Sequence, residues 1–582
     1  MATESNSSIT SDELRDKASN VNQDETHVSN IEPFFGHQEP ELINTRNELG
    51  NFTTAKETDA ELSRIETDVA LSRIASRRTL DYDELIKTAS QMSKPLPPMG
   101  NGRPYPKHPG SREPYCVQYD GGIKDPDHPF NFPFWKKFVY TASVGMSAFS
   151  CSVGSAMFAQ ASQDLMSIYK IGFTVATLST SLYVFGFATG PVIYGPLSEL
   201  FGRKMVMIPS CLCYVAFSFA TAVSKDLQSI MLCRFFAGFT GSASLVVAPA
   251  SMSDMFDNKH RGTAISIFAM VLFGGPMIAP IMGGFTVKNS TLGWRWTAYF
   301  CGLIGVLAFV MNCFLLEETH HPIVLKNRAE ELRRRTRNWG IYAPHEELTL
   351  SIKEIAEKNL VRPVKLLFTE PILFLISIYN SFIYGMLYLF LTAVPLIFGG
   401  VYGWSSGVAE LPYVSMLLGV FCGGLMIIYF EKRYNSTMDA NNGVPVPEER
   451  LLPMMVGGFT FPIGIFWLGW FGAYGQHIHW ILPVIGCFIT GHGLMMIFLP
   501  SFNYIIDCYL LHAASALAGN TLIRSGFGGA FPLFARQMFV NLEIQWASTL
   551  LGCLAVLLLP IPFLFYKFGK RLRQKSTYAF DL

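Results

Sequence analysis

The sequence predicts an all-α membrane protein, with about twelve transmembrane helices in two pseudo-symmetric six-helix bundles behind a largely disordered N-terminal tail. Three observations carry that prediction. The chain of 582 residues is 50% hydrophobic and 14% aromatic but only 15% charged, which is too apolar for a soluble enzyme of this length. Its charge is uneven, because residues up to about Lys137 are rich in Ser, Thr, Asp, Glu and Asn while the rest is mostly apolar. In that remainder, apolar runs of roughly 18 to 25 residues, enough to cross a hydrocarbon core about 30 Å thick, recur along the chain.

The tail, residues 1–135, opens "MATESNSSITSDELRDK". That opening has no apolar stretch and is not a cleaved secretory signal, so the first span must itself direct insertion. Within the tail, "LSRIASRRTL" sets Ser76 and Thr79 beside arginines, which fits a kinase site and equally fits a solvated polar segment. The first bundle, 136–316, takes the runs near 138–160, 174–196, 205–223, 227–250, 263–286 and 296–316. A charged central loop, 317–370, separates it from the second bundle, 371–566, with runs near 371–399, 407–430, 453–475, 480–502, 512–535 and 546–566. Residues 567–582 form a second tail.

Lys and Arg in the loops set the orientation. One side collects Lys136, Lys137, Arg203, Lys204, Lys259, Arg261, Arg333, Arg334, Arg335, Arg337, Lys432, Arg433, Lys570, Arg571 and Arg573. The other has only Lys170, Lys225, Lys288, Arg295 and Arg536. Both tails and the central loop are therefore expected in the cytosol, and the sequon Asn289-Ser290-Thr291 outside, where it is a glycosylation candidate close to the bilayer. A net charge of +1 excludes bulk attraction to nucleic acid. The 11 cysteines show no paired metal-ligand spacing, and no metal or cofactor is expected. No nucleophile arrangement, metal cluster or nucleotide loop suggests an enzyme.

Several short stretches carry more than span length. "GPLSELFGRK", Gly195 to Lys204, joins the second and third spans. Its glycines allow a tight turn, Glu199 lies near the helix ends, and Arg203 and Lys204 face the cytosol; plain positive-inside anchoring explains the same residues. "RFFAGFTG" opens on Arg234, inside the fourth span. An arginine there costs about 2.5 to 3.5 kcal/mol on insertion scales, so it should face the bundle interior with a partner, or else snorkel to the outer surface. "GGPMIAPIMGG", Gly274 to Gly284, puts four glycines and two prolines into the fifth span. Gly275, Ala279 and Gly283 recur every fourth residue, as do Pro276, Pro280 and Gly284, making adjacent columns where a neighbouring helix can pack closely. Each proline frees a carbonyl, of Leu272 and of Pro276, so the span should bend where another helix shelters the defect. The fourth-span Asp254 and fifth-span Gly274-Gly275-Pro276 find an echo roughly 250 residues later in Asp507 and Gly528-Gly529-Ala530, a weak repeat of the kind two rocking halves need.

These motifs, in this order and in these loops, resemble the signatures of the major facilitator superfamily: its second-to-third-span loop, its fourth-span arginine motif, and the fifth-span proline-glycine motif of its proton-coupled antiporters. "DPDHPFNFPFWKK", "LEETHHP", "NWGIYAPHEE", "SIYNSFIYGMLYLF" and "ALAGNTLIRSGFGGAFPLF" further resemble the fungal drug:proton antiporters of the twelve-span branch, and within it the yeast polyamine exporters. The resemblance runs from about Pro104 to the C-terminus. It implies that Glu199, Arg203 and Asp254 form a charge cluster holding the inner gate in one state, and that Arg234 takes part in proton coupling. The chain departs from the pattern in carrying Glu199 for the usual Asp and Leu200 for the usual arginine. It also carries Thr392 in "FLTAVPLIF", where polyamine exporters of this kind place a glutamate; a polycation loses an attraction there, and neutral or mixed drugs gain by comparison.

Substrate-binding candidates are the polar and aromatic residues within the spans of the second bundle: Tyr379, Asn380, Tyr384 and Tyr388 in the seventh, Glu410 in the eighth, His492 in the tenth, Asn520 and Arg524 in the eleventh. Tyr384 and Tyr388 share a helix face, as do Asn520 and Arg524. Helix packing or an interfacial aromatic belt explains the tyrosines equally well. Glu410 is the acid a cation or proton would use, or a wet group near the outer end. The resulting expectation is a proton-coupled antiporter exporting polyamines (spermidine, spermine, putrescine) and unrelated drugs by alternating access, as a monomer in the plasma membrane or, as the alternative location, the vacuolar membrane. The alternatives are a multidrug or weak-acid exporter with little polyamine activity and a non-transporting sensor of the same fold.

Overall fold

The computed structural model describes residues 115–119, 124–336, 339–347, 361–441, 444–475, 477–509 and 512–576, with single positions at 357 and 578. Ser76, Thr79 and the rest of the tail up to residue 114 lie outside the described residues. Both bundles belong to one compact unit of the chain.

Among the described residues, 11 helices are long and apolar enough to cross a membrane. The remaining expected span, near 512–535, is the helix Ala513–Asn541, 29 residues long. Its serines, Asn520, Arg524, Arg536 and Gln537 lower its hydropathy, so it qualifies by length and not by composition. A helix this polar survives in a bundle only by turning those groups inward.

The spans are longer than their apolar runs. The first, Phe134–Met157, continues through a 3-10 turn, Phe158–Ala161, and a short helix, Ser162–Tyr169. The second is Phe173–Leu200 and the third Arg203–Val223. The fourth is split at Ser242 into Leu227–Gly241 and Ala243–Met255, and the sixth is Arg295–Leu315. In the other half, the seventh span, Pro371–Pro395, ends in a π-helical turn, Leu396–Val401. The eighth, Pro412–Ala440, follows a 3-10 turn, Val408–Glu410. The ninth and tenth are Leu451–Ala473 and Ile481–Cys508. The last is made of Glu543–Leu558 and Pro560–Lys575.

The fifth span, Asn258–Lys288, is one unbroken helix despite Pro276 and Pro280. The helix stays continuous, and a neighbour shelters the defect at Pro276, as expected. The carbonyl of Leu272, freed by Pro276, accepts a hydrogen bond from Ser152 Oγ of the first span at 2.6 Å.

Within the first half the first span packs on the fifth and sixth, the second on the fourth, and the third on the sixth and fourth. Small residues set these distances: a side chain on Gly186 of the second span would sit 2.5 Å from the backbone nitrogen of Phe239 in the fourth. In the second half the seventh packs on the eleventh, and the ninth and eighth on the tenth. The main pairs across the halves are the second span with the eleventh and the fifth with the eighth, and the fifth also meets the tenth.

Candidate functional site: a cavity between the two halves

Arg203 begins the third span just after Gly202, whose φ of 95° is a left-handed-side value that favours glycine. Its Nε donates to Asp254 Oδ2 at 3.0 Å and its Nη1 to Ser198 Oγ at 2.7 Å. The free N–H groups of the third span are capped from elsewhere: Arg203 N and Lys204 N donate to Glu318 Oε1 and Oε2 at 2.9 and 3.2 Å. A carboxylate at a helix N-terminus is held by those donors and by the helix dipole. Glu318 lies in "LEETHHP", after the sixth span, so the start of the central loop ties down the cluster. Beside it, His320 Nδ1 lies 4.0 Å from Asp254 Oδ2. Burial, and then the Arg203 charge, push the His320 imidazole down to about 3.

The second half holds a counterpart. Arg450, at the start of the ninth span, reaches Glu431 of the eighth at 2.5 Å and Asp507 at the end of the tenth at 3.0 Å. Tyr434 Oη also donates to Asp507 Oδ2, at 2.7 Å. This cluster touches the other half. Arg261 of the fifth span lies 4.0 Å from Asp507 Oδ1, and Gly262 packs against the Glu431 carboxylate, 1.8 Å from where a side chain on it would begin.

Arg234 is 3% exposed, so it does not snorkel. Its Nη2 donates to the carbonyl of Gly154 at 2.9 Å and its Nε to that of Ser179 at 3.3 Å. The guanidinium lies 4.3 Å from the ring centroid of Tyr183 and 4.7 Å from that of Phe158. Carbonyls and ring faces therefore stabilise this cation without a carboxylate.

The glycines of the fifth span face two ways, not one. A side chain on Gly275 would come within 2.6 Å of Ser152 Cβ and 3.0 Å of Val153 N, and one on Gly283 within 2.8 Å of the Met157 carbonyl oxygen, all in the first span. A side chain on Gly284 would instead lie 2.9 Å from Glu410 Cγ and 3.0 Å from Gly407 Cα, in the other half, and one on Gly274 3.4 Å from Leu417. The columns that the spacing placed on one side of the helix thus divide between a packing seam inside the first half and a contact between halves.

At the Lys288 end several such contacts close the molecule. Lys288 Nζ donates to Ser405 Oγ at 2.9 Å, Gln537 Nε2 to Thr174 Oγ1 at 2.9 Å, and Arg536 lies 4.7 Å over the Phe173 ring. Buried Glu410 hydrogen-bonds the Gln160 side chain and leaves Oε2 without a partner.

Between the halves a cavity of about 450 Å³ runs from mid-span to the Arg203 end, where Glu199, Arg203, Asp254 and Arg261 line it. Its deeper wall includes Phe187, Phe273, Pro276, Tyr384, Phe498 and Arg524. Of the eight substrate candidates, only Tyr384 and Arg524 line it. Tyr388 lies behind Tyr384, with the hydroxyls 3.4 Å apart, and donates across the halves to Ser155 Oγ at 2.9 Å. Asn380 accepts from Ser501 of the tenth span at 2.7 Å, and Tyr379 faces Gly458 of the ninth. The backbone of His492 abuts Gly419 and Gly423 of the eighth span. Asn520 is fully buried with neither amide atom hydrogen-bonded, and Glu410 belongs to the Lys288 end. These six sit inside helix contacts because the cavity takes only the faces that point between the halves.

The model of the Major Facilitator Superfamily matches residues 143–532. The chain belongs to that superfamily. It is a multi-pass membrane transporter and not an enzyme. It is 70% identical to the Major facilitator superfamily multidrug transporter FLU1 of Candida albicans, over 90% of this chain and 86% of that one. It is 46% identical to the multidrug transporter TPO1_2 of Candida glabrata, over 90% of each. Among solved structures, the xylose transporter XylE of E. coli in a partially occluded inward-open conformation matches with a TM-score of 0.52 at 16% identity, covering 74% of this chain and 97% of that one. That likeness is one of fold.

Two residue sets of this superfamily member escaped the sequence analysis. Glu318 stood inside a quoted stretch, but nothing in the sequence ties it to a helix start more than a hundred residues earlier. Arg450 and Glu431 are separated by the whole loop between the eighth and ninth spans, whereas Glu199 and Arg203 share one turn. The paired Asp254 and Asp507 were the signal that could have led to them.

Proposed function

We propose that this chain is a proton-coupled exporter of apolar, aromatic drugs, alternating between a form open at the Arg203 end and one open at the Lys288 end. The observation that carries this reading is the cavity of about 450 Å³, walled largely by rings and aliphatic side chains, which reaches one end while contacts between the halves close the other. Bundles 136–316 and 371–566 rocking about such a site give each end access in turn. The multidrug names of the Candida relatives support drugs as the substrates. Polyamine export draws less support. The charge at mid-depth is that of Arg524, and a polycation there meets repulsion in a low dielectric.

Glu199 and Asp254 are the two carboxylates lining the cavity among the described residues, and in this reading they exchange the proton. Arg203 clamps Asp254 while the Lys288 end is closed, and Arg234 braces the first span against the fourth. The excess of Lys and Arg puts the Arg203 end in the cytosol, with both termini, and the exposed Asn289 outside. The monomer acts in the plasma membrane, and a kinase acts on the N-terminal tail at Ser76 or Thr79.

The test is accumulation of a labelled aromatic drug and of labelled spermidine in cells with and without the gene. Loss of the gene should raise internal drug and change spermidine little, and collapsing the proton gradient should raise internal drug in cells that have the protein. Lower internal drug on loss of the protein, or no response to the gradient, sinks the proposal.

A further inference from the structure

Arg524 stands about 16 Å along its helix from Ala513, at 1.5 Å per residue, so it lies deep in the membrane. It is 7% exposed and lines the cavity. Aromatic rings surround the guanidinium, with centroids at 4.7 Å for Tyr384, 5.1 Å for Phe498 and 5.2 Å for Phe502. Its Nε has no hydrogen-bond partner. Among the described residues no carboxylate pairs with it. The cavity's acids, Glu199 and Asp254, belong to the last turns of the second and fourth spans, and Asp254 is already bound by Arg203. The other charged groups lining the cavity, Arg203 and Arg261, are cations and supply no counter-ion, and polar groups such as Ser152, Thr521 and Asn503 carry no charge.

A buried cation without a counter-ion is costly, and natural spans place one where something else supplies the anion. Here the free Nε belongs to a side chain that lines a cavity large enough for a small organic molecule. Rings beside the guanidinium offer faces on which a planar substrate can stack. We infer that Arg524 is an anion-accepting subsite, so that the substrates this cavity binds best are planar aromatic monoanions whose acidic group pairs with the Arg524 guanidinium. The inference rests on the export reading above and names the substrate class of the same cavity. It also makes Arg524 the residue that selects against polycations.

The test uses the full-length protein in detergent and in liposomes with a matched pair of probes. Naphthalene-2-sulfonate is permanently anionic, and naphthalene-2-sulfonamide is its neutral counterpart of nearly the same shape. The wild type should bind the sulfonate at least tenfold more tightly, the loss expected when a charge-assisted pair is removed. In Arg524→Gln the ratio of the two affinities should fall toward one, and Arg524→Lys should keep most of it. Equal affinities in the wild type, or an undiminished ratio in Arg524→Gln, overturns the inference. If Arg524→Gln does not fold, the wild-type ratio and its change in Arg524→Lys decide the matter. Transport of the sulfonamide into liposomes under a proton gradient is scored separately. A flat ratio with gradient-driven transport defeats the subsite and spares the exporter; a charge-dependent ratio without gradient-driven transport of either probe does the reverse.

Discussion

Arg234 and Arg524 both lie buried inside spans, and their surroundings differ in kind. Arg234, in the first half, is saturated: two carbonyls and two ring faces hold it, and it does not line the cavity. Arg524, in the second half, has ring faces but a free Nε, and it borders open space. The insertion cost of a cation is similar for both, so the difference lies in what compensates it. For Arg234 the fold compensates; for Arg524 the compensation is left to whatever enters the cavity. One is built for stability and the other for binding.

Truncation should separate them by the largest margin. Arg234→Ala leaves the Gly154 and Ser179 carbonyls unpaired and a void between Phe158 and Tyr183, at a cost of about 2 to 5 kcal/mol. Thermal unfolding of the purified protein should show it as a clear drop in midpoint. Arg524→Gln removes a buried charge that nothing neutralises, and stability should change by less than about 1 kcal/mol or rise. Equal losses in both would erase the distinction.

The fifth span offers the same contrast within one helix. Leu at Gly275 or Gly283 must push into first-span backbone of its own half, an overpacking defect of about 1 to 3 kcal/mol that should lower the yield of folded protein. Leu at Gly284 presses instead on Gly407 and Glu410 across the halves. That variant should fold but favour the form open at the Lys288 end. A cysteine at Ser405→Cys should then react faster with an impermeant thiol reagent than in the Gly284 parent, and an unchanged rate would contradict the assignment of Gly284 to the contact between halves.

The sequence made the scaffold legible because span length, loop charge and motif order are local properties. The spans emerged from apolar runs, the eleventh among them despite its polar residues. Contacts between distant elements were not legible. The "GGPMIAPIMGG" stretch announced close packing, yet whether Gly275 and Gly284 meet the same neighbour depends on where the first and eighth spans stand. Arg524 was a candidate for lying about midway along its span, and it lines the cavity. Tyr379, Asn380 and His492 had the same standing and turn away from the cavity, because helical period alone does not say which face looks between the halves.

The smallest effect concerns the collar that joins the segment before the first span to the central loop. Arg328 pairs with Asp125 at 3.3 Å and with Asp127, and the His128 ring stacks on His321 with centroids 4.4 Å apart. His128 Nδ1 accepts a hydrogen bond from Phe130 N at 3.2 Å, which only the imidazole deprotonated at that nitrogen can do. Burial, reinforced by the neighbouring His321 and opposed by Asp125, lowers His128 to about 4. A folded-state value below the ordinary 6.5 means that protons favour the open collar. Its contribution is therefore complete above about pH 6.5 and is lost as pH falls toward 4. Hydrogen exchange of residues 124–131 should accelerate between pH 7 and pH 5 beyond the intrinsic dependence of the chemistry. His128→Asn keeps an acceptor for Phe130 N and removes the titration, so its corrected exchange should be flat over that range. If the variant retains the wild-type pH response, the sensitivity belongs to His320 and His321, which burial and Arg203 also hold below their ordinary values.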